Sequence, residues 1–253
     1  MNVLLRTLSA EALKLRGTLA AWMCLIAPGL VVALYVLQMA FSDYSKRAPA
    51  PPADAWSLFA QSTLVLWALL MLPLFVTLQA ALLAGIDHGP QRWKHLLALP
   101  LPRSSHYYAK ALALAAMVAA ATMSMVVLVP VGGWILSIVQ PKFGIAGPAP
   151  WAMLIERSLA ATAAAMLIVA LHTWAALRWR SFTVAVSIGM TATVAGFLIG
   201  QSARFGRFYP WSLPLQVHAA DGRFTTWAVA VGLAGGVALT VLGAIAFARR
   251  EVD

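Results

Sequence analysis

The sequence predicts an all-α polytopic membrane protein, and three observations carry that prediction. Hydrophobic residues make up 62% of the 253-residue chain and charged residues 10%, against about 25% charged in an ordinary soluble domain. The apolar residues fall in runs long enough to cross a bilayer, since about 20 residues rising about 1.5 Å each cover a hydrocarbon core of about 30 Å. The basic residues are spread between those runs instead of forming one basic domain. The net charge of +10 therefore reads as contact with anionic lipid headgroups, with no nucleic acid partner. Repeated spans make residues 1–253 a single transmembrane domain.

Residues 1–16 form the first element. On a helical wheel Leu4, Leu5, Leu8, Ala12 and Leu15 share about one third of the circumference, with Thr7, Glu11 and Lys14 outside that arc. This predicts an amphipathic helix lying in the cytoplasmic interface. No small-residue cleavage pattern follows a short apolar core, so the N-terminus reads as mature protein. Six spans follow, at about 18–41, 57–86, 111–139, 158–177, 181–203 and 225–248. Cys24 is the lone cysteine and lies inside the first span, which excludes an intrachain disulfide and offers no metal cluster.

The connections set the topology. Only Arg178, Trp179 and Arg180 separate spans four and five, a tight basic link that forces a hairpin and is best placed in the cytoplasm. With the N-terminus inside, eleven basic residues are cytoplasmic (Arg6, Lys14, Arg16, Arg92, Lys94, Arg103, Lys110, Arg178, Arg180, Arg249, Arg250). Seven lie outside (Lys46, Arg47, Lys142, Arg157, Arg204, Arg207, Arg223). The excess places both termini in the cytoplasm. Asp43–Trp56, with Pro49, Pro51 and Pro52, and residues 140–151 read as outer loops. Residues 204–224, where aromatics and leucines mix with Pro210 and Pro214, read as an outer re-entrant segment. Such a segment is tolerable only where the protein satisfies the freed backbone groups.

Pro28, Pro73 and Pro130 fall inside spans, where they kink helices or are absorbed by packing. Ala192, Gly196 and Gly200, and likewise Gly232 and Gly236, provide small residues four apart for close helix approach. Under these boundaries the span interiors hold no Asp, Glu, Lys or Arg, which argues against a carrier coupled to protons or sodium through buried carboxylates. The sequence has no HExxH, no GxSxG and no GxxxxGK[ST]. His88, His95, His106, His172 and His218 are scattered without metal-ligand spacing. No catalytic, metal or cofactor site is expected in this chain, and any ATP that drives it must be held by another polypeptide.

One stretch concentrates the remaining chemistry. WKHLLALPLPRSSHYYAK, residues 93–110, gathers two lysines, two histidines and an arginine between long uncharged segments. Trp93, Leu96 and Leu97 sit at helical spacing and can share one apolar face. Arg92 and Lys94 flank that face, and Pro100 and Pro102 keep a short helix from running into span three. Simple anchoring of span three would account for its lysines and aromatics, but not for two prolines beside an apolar face.

Asp87, Trp93, Lys94, Leu99, Pro100, Arg103, Tyr108, Ala109 and Lys110 stand where the permease subunits of ABC-2 type transporters carry their first inner loop, and the chain resembles that family. The likeness is to its small lantibiotic-immunity and bacteriocin-export type, although the family more often has Glu where Asp87 stands. SAEALKLRG is similar to the family's elbow segment, with Glu11, Lys14 and Arg16 in place, and FYPWSLP at 208–214 is similar to its outer re-entrant helices.

The resemblance implies a homodimer or heterodimer of permeases with two cytoplasmic ATP-binding subunits, ATP and magnesium residing in those subunits. A coupling helix in the 88–106 loop would dock there through Trp93, Leu96 and Leu97, with Arg92, Lys94 and Arg103 engaging acidic groups or lipid phosphate. The bilayer would be a bacterial cytoplasmic membrane, and the cargo an exported or extruded amphiphile such as a peptide or lipid. Two other classes stay open on the residues alone: a membrane scaffold working without ATP, and a membrane-embedded enzyme using loop histidines or the 204–224 segment.

Overall fold

A computed structural model of the chain describes residues 3–43, 51–86, 102–179, 181–202, 204–219 and 222–249. Among them there is no β-strand, and six helices are long and apolar enough to cross a membrane. The protein is an all-α polytopic membrane protein. In chain order it has α1 (Val3–Leu15), α2 (Leu19–Ala40), α3 (Pro52–Leu66), a π-helical turn (Trp67–Met71), α4 (Leu72–Gly85) and α5 (Arg103–Val139). Then follow α6 (Trp151–Ala164), α7 (Met166–Arg178), α8 (Phe182–Gly200), α9 (Leu213–Gln216) and α10 (Thr225–Ala248). Single 3-10 turns lie at Pro141–Phe143, Gly206–Phe208 and Pro210–Ser212.

The π-helical turn has a local cause. Pro73 has no N–H to give and would collide with a carbonyl one turn back in a regular helix. Widening the preceding turn, so that the Leu72 N–H reaches back to the Trp67 carbonyl, absorbs it without ending the span. The same turn points the Trp67 indole inward, where its Nε1–H donates to Thr122 Oγ1 of α5 at 3.2 Å. α3 and α4 thus form one span, Pro52–Gly85, and α6 and α7 form another, Trp151–Arg178. The Pro52–Gly85 span is 61% buried, against 22% for both α2 and α8, so it is central and they face outward. α5 is the other axis and touches α1, α2, α3, α4, α6, α7 and α10.

Several helices begin earlier than hydropathy predicts, because capping and not hydrocarbon thickness sets where a helix starts. The second span begins at Pro52 instead of 57. Pro52 occupies the first turn, where its missing N–H costs nothing, so the outer loop expected through Trp56 stops short of it. The third begins at Arg103 instead of 111. Pro102 stands at the cap and accepts from both the N–H and the hydroxyl of Ser105. The loop expected over 88–106 therefore gives its last four residues to α5. The fourth begins at Trp151 instead of 158 and the fifth runs over 182–200 instead of 181–203. The longer helices carry Asp54, Arg103, Lys110, Glu156 and Arg157 near their ends, so the expectation of charge-free spans holds only for their central turns. α5 has 37 residues, about 55 Å at 1.5 Å per residue, and must project past a hydrocarbon core of about 30 Å.

The small residues are used within the chain. A Cβ on Gly232 would lie 2.5 Å from the backbone of Ala163 and Ala164, a contact no side-chain rotation relieves. Gly232 and Gly236 let α10 lie directly on the junction between α6 and α7. Gly196 and Gly200 of α8 face Tyr209, Trp211, Ser212 and Leu215 of the 204–219 segment.

That segment is held by donors from neighbouring spans. Trp227 Nε1–H donates to the Arg207 carbonyl at 2.9 Å, Gln61 Nε2–H to the His218 carbonyl at 3.3 Å, and Arg157 Nη1–H to the Val217 carbonyl. These are the carbonyls that a broken helix leaves open. In return Tyr209 Oη–H donates to the Ala192 carbonyl, midway along α8, at 2.9 Å. Trp211 Nε1–H donates to His172 Nε2 of α7 at 3.3 Å, a nitrogen also 3.3 Å from Thr77 Oγ1 of α4. Accepting from Trp211 requires Nε2 to be unprotonated, so His172 carries its proton on Nδ1.

His218 is buried in this segment, and neither ring nitrogen has a partner among the described residues. Burial, and behind it the Arg157 guanidinium, push its imidazole down to about 4 from an ordinary value of 6.5. The folded state then refuses a proton that the unfolded chain accepts, so stability is intact above about pH 6.5 and declines toward pH 4 at up to about 1.4 kcal/mol per pH unit. The melting temperature of detergent-purified protein should fall between pH 7 and pH 4.5, and the His218→Leu variant should lose much of that slope.

Candidate functional site

α1 ends where α2 begins, and the turn between them is tight. Gly17 takes φ of 74°, a left-handed conformation disfavoured for a side chain. Thr18 then caps α2 by accepting from the Ala21 N–H. This fixes α1 against the start of α5, and the face it presents is mixed. Thr7, Glu11 and Leu15 are buried and Leu4 and Leu8 half-buried, whereas Leu5 and Leu13 are 54% and 68% exposed, together with Arg6 and Ser9. The apolar arc of the wheel is therefore split between the two faces, and the inward face is the one that holds Glu11, the group that most needs a partner.

Glu11 meets Lys110. One carboxylate oxygen takes a 3.1 Å bond from Lys110 Nζ, and the other takes a 2.7 Å bond from Lys14 one turn along α1. The Glu11 and Lys110 side chains are only 6% and 5% exposed. Lys110 Nζ also donates to the Leu83 carbonyl at 3.2 Å. Leu83 lies near the end of α4, where the C-terminal carbonyls have no helical partner. Lys110 therefore ties three elements together: α1 through Glu11, the last turn of α4 through Leu83, and the second turn of α5 through its own backbone.

Those last two elements flank residues 87–101. The sequence-expected docking residues Arg92, Trp93, Lys94, Leu96 and Leu97 all lie there, outside the described residues. Arg103 is the first residue of α5 and is partly exposed. Of the elbow residues, Glu11 and Lys14 are brought together, while Arg16 stays exposed past the end of α1. What sequence reasoning missed is the pairing of Glu11 with Lys110. Its signal was scarcity: the chain has 8 acidic residues against 18 basic ones, and Glu11 is the one carboxylate before Asp43. Among the described residues no cluster of three or more His, Cys, Asp or Glu could hold a metal ion. The arrangement offers no reacting group. It is a junction that joins the end of α4 and the start of α5 to α1.

The family model described as ABC-2 family transporter protein matches residues 7–196, which takes in this junction and the spans from α2 into α8. The chain belongs to the ABC-2 transporter family. No curated protein matches it. In ABC-2 terms, the matched region starts within α1, at the buried Thr7, and holds every residue of the Glu11, Leu83 and Lys110 junction. The 204–219 segment and α10 lie beyond it.

Removing one member of a buried ion pair typically costs about 3–5 kcal/mol, whereas replacing both by apolar residues is often neutral. Glu11→Met should therefore lower the melting temperature of the detergent-purified protein most, since it removes the carboxylate that faces both Lys110 and Lys14. Lys110→Met should cost less, because Glu11 keeps Lys14. The double variant Glu11→Met/Lys110→Met should recover most of the Glu11→Met loss.

Proposed function

We propose that this ABC-2 protein is the permease subunit of an ATP-driven ABC transporter that exports or extrudes an amphiphilic substrate, such as a peptide or lipid. The observation that carries the reading is the family match over residues that include a buried clamp between the two helices flanking residues 87–101. Its working form is a dimer of permeases with two cytoplasmic ATP-binding subunits, in a bacterial cytoplasmic membrane with both termini cytoplasmic. The motif resemblance to the lantibiotic-immunity and bacteriocin-export type favours an amphiphilic peptide among these cargoes.

The ATP-binding subunits supply nucleotide and magnesium, and this chain supplies the lever. A docking helix around Trp93, Leu96 and Leu97 inserts its apolar face into an ATPase groove, with Arg92, Lys94 and Arg103 on surrounding acidic groups or lipid phosphate. Closure of the ATPases pushes the loop. Because Lys110 joins the α4 and α5 ends to α1, the three elements move together instead of the loop flexing alone. The central turns of the spans hold hydroxyls, amides and imidazole but no carboxylate or ammonium, which suits amphiphile movement driven from outside the bilayer better than ion-coupled transport. Trp93→Asp/Leu97→Asp should abolish copurification with a subunit bearing a GxxxxGK[ST] sequence while membrane insertion stays normal; intact copurification of the double variant would refute this proposal.

A further inference from the structure

At the end of the bundle opposite Lys110, the chain carries one dipeptide three times: Arg204-Phe205, Arg207-Phe208 and Arg223-Phe224. In each pair the guanidinium lies over its neighbour's ring, 5.3, 4.7 and 5.5 Å from the centroid. The first two pairs form one short exposed stretch just past α8, with Phe205 58% and Phe208 59% exposed. Its backbone is firmly seated. Gly206, at the centre, is buried, and a Cβ there would lie 2.7 Å from the Gly200 carbonyl oxygen at the end of α8. The Gly206 carbonyl accepts from the Ser212 hydroxyl, and the Arg207 carbonyl from Trp227 of α10. The Trp227 ring is 45% exposed and meets Phe208 edge-on at 6.1 Å.

We propose that Arg204, Phe205, Arg207 and Phe208, with Trp227, are a docking surface for anionic phospholipid headgroups of the leaflet at this membrane face. The charge excess holds over the whole sequence. Seven basic residues are assigned to this face against four carboxylates, Asp43, Asp54, Glu156 and Asp221, and Asp221 is the one carboxylate between Glu156 and Glu251. Arg223 has a further interaction, so the site is built on Arg204 and Arg207. A guanidinium stacked on a ring keeps the donors along its edge free, and those donors match phosphate oxygens. The carbonyls ending α8 favour a nearby cation, but they require neither two arginines nor exposed rings. The rings decide for lipid over a soluble acidic partner. They lie where α8 ends and α10 begins, next to the 66% exposed Leu198, and amphipathic aromatic groups settle at headgroup level. This surface requires no assumption about transport.

The test is hydrogen–deuterium exchange of the full chain in nanodiscs of phosphatidylcholine alone or of equal parts phosphatidylcholine and phosphatidylglycerol. The Phe205, Gly206 and Phe208 N–H groups are bonded to Ser202 and Phe205, so their exchange reports opening of the stretch. They should exchange at least ~tenfold more slowly with phosphatidylglycerol, the scale of two basic residues at an anionic surface. Arg204→Gln/Arg207→Gln should lose most of that difference. Arg6→Gln/Arg16→Gln, an equal change of net charge at exposed positions at the two ends of α1, should keep it. Equal exchange in the two discs, the result expected of a surface for a soluble acidic protein, overturns the proposal. An undiminished difference in Arg204→Gln/Arg207→Gln overturns it too, as does equal protection from inorganic phosphate added to phosphatidylcholine discs, which would mark a site for free phosphate.

Discussion

A lysine 5% exposed beside a membrane has to be paired, and the architecture around Lys110 follows from that constraint. Its pairing with Glu11 turns the Thr7, Glu11 and Leu15 face of α1 inward and leaves Leu5 and Leu13 exposed. Its bond to the Leu83 carbonyl draws the α4 terminus to the second turn of α5. Burial of such a pair adds little net stability, since desolvation of both groups offsets most of their attraction. What it sets is geometry: α1, α4 and α5 have one arrangement in which both charges are satisfied, so displacing one displaces the others. That is the property a lever needs.

A second constraint acts at the opposite end of the spans. Backbone groups away from water must find partners, and the broken chain at 204–219 finds them in Trp227, Gln61 and Arg157. Three spans supply these donors, and α8 and α7 receive Tyr209 and Trp211 in return. Thr77 of α4 and His172 of α7 meet Trp211 of this segment through His172 Nε2, so the segment is tied to two spans at that point.

The six spans were legible because apolar length alone decides whether a helix crosses a bilayer. Their starts were not. Pro52 and Pro102 read as breakers in the sequence but are first-turn and capping residues, and residues 152–157 fall outside the expected fourth span because hydropathy ignores helix that leaves the hydrocarbon. The amphipathic α1 was legible as a wheel, but a wheel does not say which face meets protein. Beside lipid that depends on where Glu11 finds a cation, and its partner is 99 residues away. Glu11 and Lys14 could therefore be singled out in the sequence, while the partner that pairs with Glu11 shows only in the structure. The broken helical character of 204–219 was legible in its prolines and aromatics, whereas the donors that hold it could not be read from any local pattern.

The central claim is that residues 88–106 receive force from an ATP-binding partner. The most direct measurement places a photo-crosslinking amino acid at Leu97 in the full chain, expressed with its native partners, and identifies what it captures. The account predicts a crosslink to a subunit carrying a GxxxxGK[ST] sequence, with a yield that changes when nucleotide is added. A crosslink only to other integral membrane proteins, unaffected by nucleotide, would contradict it.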